Sequence, residues 1–174
     1  MEPDRKASFP KEFVHLFEAH FPRLARYLNR LTGDLDLASD LAQEAFVRLY
    51  ERGSMPDQPE AWLVSVAMNL LRTFASTRTR RLRLLTDARA EATLSDPPPA
   101  PDEGMAGIEE RQRVRTALER MPERERRMLL LQAEGYTYRD IATAVRIHEA
   151  SVGTLLVRAR QTFRRHYEDL FGAS

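Results

Sequence analysis

Residues 136–160 read YTYRDIATAVRIHEASVGTLLVRAR, and this stretch decides the architecture. Thr137, with Asp140 three positions on, is a capping-box pair. Each side chain can satisfy a backbone N–H that the first turn of a helix leaves orphaned. A short helix therefore opens here, with Ile141, Ala142 and Val145 on its apolar side. A tight turn through Arg146, Ile147, His148 and Glu149 directs Ile147 inward, and a longer helix follows over about residues 150–167. Val152, Leu156 and Ala159 form its inner stripe, while the small Ala142 lets the two helices cross closely. These are the proportions of a helix-turn-helix, whose second helix enters the major groove with its N-terminal residues towards the bases. That points His148, Ser151, Gly153 and Thr154 at bases, with Arg158, Arg164 and Arg165 available to phosphates.

Upstream, the same half of the chain breaks into short helices, one over about residues 108–120 and another opened by Pro122 and closed by Gly135. Before it lies a marked change of composition. Pro97, Pro98, Pro99 and Pro101 fall together, and residues 86–110 carry seven acids against one Arg, a net charge of −6. Such a segment buries too little apolar surface to offset its ordering entropy, so it reads as a flexible acidic Pro-rich linker. Both flanks are mildly basic: residues 1–85 carry +2 and residues 111–174 carry +5. The fold class is all-α, two small helical domains joined by a tether, with boundaries at residues 10–85, 86–107 and 108–170.

The first domain repeats the helical period. Phe13, Leu16, Phe17, Phe21, Leu24, Leu28 and Leu31 recur at three- and four-residue steps. Pro22 should start a new helix or kink this one. A second helix over about residues 37–52 buries Ala38, Leu41, Ala45, Phe46 and Leu49. After a turn-rich loop at residues 53–58, Pro59 suits the first position of a third helix carrying Trp62, Leu63, Val66, Leu70 and Phe74. Trp62 suits base stacking or core packing, and its place on the apolar stripe favours the core.

Bulk properties exclude several classes of function. With no cysteine among 174 residues, disulfides, thiolate metal sites and cysteine nucleophiles are ruled out. The charged N-terminus lacks the apolar core of a signal peptide, and no apolar run spans a membrane, so no membrane insertion and a cytoplasmic location are expected. His15 and His20 are five residues apart and do not share a helical face, His148 and His166 lack a carboxylate partner, and no glycine-rich phosphate loop occurs. We expect no catalytic residues, no metal and no cofactor.

Two features of the first domain remain. Asp40, Gln43 and Glu44 share one face of the second helix beside its apolar stripe. At the end of the third, Arg72, Arg78, Arg80, Arg81 and Arg83 occur with no acid between Ala61 and Thr86. Alone, each is also compatible with a solvated surface.

Three runs of sequence together resemble the extracytoplasmic-function group of bacterial sigma factors, the smallest members of the sigma-70 family. Asp40-Leu41-Ala42-Gln43-Glu44-Ala45-Phe46 resembles the family's polymerase-docking segment. Ala61-Trp62-Leu63 with Ala67-Met68-Asn69 resembles the segment that reads the −10 element. Leu118 to Arg126, Tyr138-Arg139-Asp140-Ile141-Ala142 and Arg158-Ala159-Arg160 resemble the −35-reading domain. The resemblance covers about residues 13–83 and 108–165.

It implies a subunit that binds RNA polymerase core and directs promoter-specific initiation. Asp40, Gln43 and Glu44 would contact a coiled coil on the largest subunit, and the second domain would meet the flap of the second subunit. Asn69, Arg72, Arg78, Arg80 and Arg81 would bind −10 DNA, and His148, Ser151, Gly153, Thr154 and Arg158 would bind −35 DNA. An anti-sigma factor is a further partner that the resemblance implies. The chain departs from the family at Gly153 and Leu155, where members often carry Lys or Arg. Losing those donors predicts weaker guanine readout, at roughly 1–3 kcal/mol per bidentate contact.

The alternative reading is a helix-turn-helix regulator that binds DNA without joining the polymerase. It accounts equally well for the C-terminal half, but not for residues 40–44 or the segment from Asn69 to Arg83.

Overall fold

The computed structural model describes residues 4–85 and 105–172, with side chains described over 9–79 and 107–172. Seven helices are assigned among these residues: α1 (Asp4–Thr32), α2 (Leu35–Arg52), α3 (Pro59–Leu85), α4 (Met105–Glu119), α5 (Glu123–Ala133), α6 (Tyr138–Val145) and α7 (Glu149–Phe171). The chain divides into two compact units between residues 96 and 97. Most of the expected linker lies outside the described residues; positions 105–107 form the start of α4.

In the first unit, α1 and α3 both pack against α2. Helix α1 is continuous through Pro10 and Pro22, where the sequence led us to expect a new helix or a kink. A proline removes one helical hydrogen bond. Pro22 is exposed, and the helix is held on its inner side by Leu16, Leu24, Tyr27 and Leu28, all buried. At about 1.5–3 kcal/mol per large apolar side chain removed from water, that packing outweighs the lost bond.

Asp34 caps α2, its Oδ1 accepting from the Leu37 N–H at 2.9 Å, so the helix begins two residues before the apolar pattern suggests. Gly53 ends α2 in the left-handed conformation (φ 68°), donating its N–H to the Tyr50 carbonyl at 3.0 Å. Only glycine reaches that geometry without strain. Pro59 then opens α3 as its first residue.

In the second unit, α7 packs against α4, α5 and α6. The capping box at the start of α6 is formed in full: Thr137 Oγ1 accepts from the Asp140 N–H at 3.2 Å, and the Thr137 N–H donates to Asp140 Oδ2 at 3.2 Å. The helix ends at Arg146, which takes a positive φ of 58°, and the Ile147 N–H bonds back to the Ala142 carbonyl at 2.9 Å. Ile141, Ala142, Val152, Leu156 and Ala159 are buried at the helix crossing, as the spacing implied, and α7 runs four residues beyond its expected end.

One core member was not legible from the pattern. Arg127 of α5 is only 6% exposed, and its guanidinium donates to the Ala144 carbonyl at 3.1 Å. That carbonyl lies in the last turn of α6, where backbone acceptors have no partner within the helix. A buried cation thus closes the end of the first helix of the helix-turn-helix, where the helix dipole favours positive charge.

Candidate functional site

Three surfaces carry the residues singled out above. On α2 the apolar positions Ala38, Leu41, Ala42, Ala45, Phe46 and Leu49 all turn inward. Asp40, Gln43 and Glu44 are exposed together along the opposite side. Glu44 is paired with Arg48, whose Nε lies 3.0 Å from Glu44 Oε1. The structure adds an apolar border that the sequence reading missed. Val47 and Tyr50 continue the same stripe, and both are exposed. Tyr50 packs edge-on against Phe13 of α1 at 5.3 Å, and Phe17 against Phe46 at 5.1 Å. Steps of four from Gln43 to Val47 and of three from Val47 to Tyr50 were the signal available.

On α3, Asn69 is exposed and its amide oxygen accepts a hydrogen bond from Arg72 at 3.1 Å. Arg78 stands nine residues on, which at 3.6 residues per turn is about 180° around the helix. It is half-buried and does not share the Asn69 face. Positions 80 and 81 lie in α3, but their side chains are outside the described residues. Trp62 is half-buried, with the Arg52 guanidinium 5.8 Å from its ring centre.

On α7, Ser151, Thr154 and Arg158 are exposed on one stripe, opposite the buried Val152, Leu156 and Ala159. His148 occupies the cap position, exposed and making no side-chain cap bond. Gly153 is half-buried and stands beside Tyr138: a β-carbon placed there would lie 3.6 Å from the tyrosine ring. Leu155 is half-buried. Arg164 and Arg165 are exposed, whereas Arg160 donates to Gln132 at 2.9 Å.

Comparison with known proteins fits this layout. Residues 16–81 match Sigma-70 region 2, and residues 111–163 match Sigma-70, region 4. The chain is 30% identical to the ECF RNA polymerase sigma factor EcfG of Rhodopseudomonas palustris over 151 residues, which is 82% of this chain and 76% of that protein. The chain belongs to the extracytoplasmic-function family of RNA polymerase sigma factors.

This sigma factor is also 33% identical over 141 residues to the probable sigma factor RfaY of Xanthomonas campestris, spanning 77% of this chain but about a third (35%) of that protein. Its fold resembles that of the sigma factor RpoE from Bartonella quintana, solved with the anti-sigma factor NepR, with a TM-score of 0.68 at 20% identity over 91% of this chain and 98% of that one. It also resembles CnrH, solved with the cytosolic domain of CnrY, with a TM-score of 0.62 at 19% identity over 98% and 95% of the two chains. Sigma factors are not enzymes; they direct a polymerase to its promoters. No helix among the described residues is long and apolar enough to cross a membrane.

Proposed function

We propose that this sigma factor docks on the coiled coil of the polymerase's largest subunit through Asp40, Gln43 and Glu44, and reads promoters with its two units in series. The observation that carries the reading is the exposure of those three polar side chains on the side of α2 that faces away from its buried apolar stripe. Residues 10–85 form the docking and −10 unit, the stretch from residue 86 to the start of α4 the linker, and α4 onward to residue 170 the −35 unit, which also meets the flap of the second subunit.

Asn69 captures an unstacked base of the non-template strand, since an amide both donates to and accepts from a base edge. Unstacking costs a few kcal/mol, offset by arginine–phosphate contacts. Arg72, Arg80 and Arg81 hold the adjoining backbone, with Arg78 reaching it from the other side of α3. Ser151, Thr154 and Arg158 enter the −35 groove, His148 lies at its edge, and Gly153 permits close approach. The linker's net negative charge suits a basic channel of the polymerase. An anti-sigma factor covering these faces would keep the protein idle in the cytoplasm.

The test is promoter-specific transcription with purified bacterial core polymerase, with and without this protein, on genomic fragments that include the DNA upstream of its own gene. Defined transcripts that depend on the protein support the reading. DNA binding without core binding or initiation would sink it.

A further inference from the structure

We infer that the recognition helix reads thymine methyl groups through an apolar strip made of Ala150, Val157 and the Tyr138 ring beside Gly153. The inference deepens the proposed −35 role and rests on it. On α7, positions 150, 153 and 157 follow one another at steps of three and four, so they lie in one row along the helix. The next row is polar: Ser151, Thr154 and Arg158. Ala150 is exposed, and Val157 is 48% exposed. Between them the row has no side chain of its own at Gly153, and the ring of Tyr138, 44% exposed, stands at that point.

Val157 and Tyr138 both leave nearly half of their surface in solvent, and an outward valine is a weaker helix former than alanine. What the strip offers is an apolar, contoured edge next to hydrogen-bonding side chains. In the major groove, only thymine presents a methyl group, and apolar side chains are its matching contact. The polar row supplies hydroxyls to the neighbouring edges and one guanidinium to the backbone beside them.

The full-length protein, assembled with bacterial core polymerase, would be used to select from promoter duplexes randomised across the −35 region. Each thymine in the selected element would then be replaced by deoxyuridine, which lacks only the methyl group. The expected result is an enriched element containing thymine, with holoenzyme affinity falling about fourfold per methyl removed, the equivalent of one buried methylene. Val157→Ala should make thymine and deoxyuridine equivalent at one position, and Tyr138→Ala at another; both side chains are exposed, so the fold should survive. If a defined element is selected and Thr154→Ala weakens binding to it, yet deoxyuridine binds as well as thymine, the −35 role stands and the methyl inference is overturned. If no element is enriched, the −35 role fails and the inference falls with it.

Discussion

Arg72 donates a hydrogen bond to the amide oxygen of Asn69 across 3.1 Å, one helical turn away on the exposed side of α3. The bond fixes the amide with its NH2 group turned away from the arginine and able to meet an acceptor on a base. It also keeps the guanidinium on the Asn69 side of α3. Asn69→Ala should lower promoter-dependent open-complex formation about tenfold, the scale of one good base contact. Arg72→Ala should lower it less and leave core binding unchanged. Permanganate footprinting of the holoenzyme on a selected promoter reads both. Equal activity for Asn69→Ala and wild type would remove Asn69 from base capture.

The proposed docking face can be separated from stability. Glu44 and Arg48 form an exposed i,i+4 pair, each about half exposed. Such a pair is worth at most about 0.5 kcal/mol. Gln43→Ala with Glu44→Ala should therefore leave chemical denaturation within about 0.5 kcal/mol of wild type while weakening core polymerase binding at least tenfold. Fluorescence anisotropy of the labelled protein against purified core measures the second quantity. Undiminished binding would assign docking to another surface.

Arg127 should behave oppositely, through stability alone. Its removal strands the Ala144 carbonyl and empties a buried site. Hydrogen bonds made by charged groups contribute about 1.5–3 kcal/mol, so Arg127→Ala should destabilise the second unit by about 2–3 kcal/mol. Arg127→Lys, lacking the planar fork, should recover only part of this. Urea denaturation followed by circular dichroism is the measurement. A loss under about 0.5 kcal/mol would mean that solvent reaches the carbonyl.

Tyr167 gives a pH signature linking α7 to α4. Its hydroxyl donates to both carboxylate oxygens of Glu110, at 2.8 and 2.9 Å. That bond, aided by desolvation and the carboxylate's charge, holds the phenol above its ordinary value of 10.0. A raised pKa in the folded state favours the protonated phenol. The contribution is thus fully present below the unfolded value and lost as pH rises through the folded one. Ultraviolet titration should show a late-ionising phenol that disappears in Tyr167→Phe, and Glu110→Gln should lower its midpoint.

Much of this was readable from local chemistry. Thr137 and Asp140 announced the start of α6 because a capping box depends only on residues three apart. Pro59 and Gly53 marked helix ends for equally local reasons. Arg127 was invisible because a sequence does not distinguish a sealed guanidinium from a solvated one; nothing within four residues of it signals the carbonyl of Ala144. The ring of Tyr138 beside Gly153 was likewise hidden, since it depends on how two helices cross. The separation of Arg78 from Asn69 followed from helical register alone, and counting arginines as a cluster obscured it.

The burial of Arg127 bears on how strongly salt should govern this protein's hold on promoters. Each phosphate neutralised by a cation releases counterions and adds about −0.9 to the slope of log affinity against log salt. Arg127 sits in the core, Arg115 is bonded to Glu119 and Arg160 to Gln132. With Arg158, Arg164 and Arg165 left exposed along α7, this helix accounts for a slope of about −3 if all three reach phosphates. The grip of α7 should therefore weaken by roughly fortyfold between 50 and 200 mM salt, with any phosphate contacts made by α3 adding to that loss.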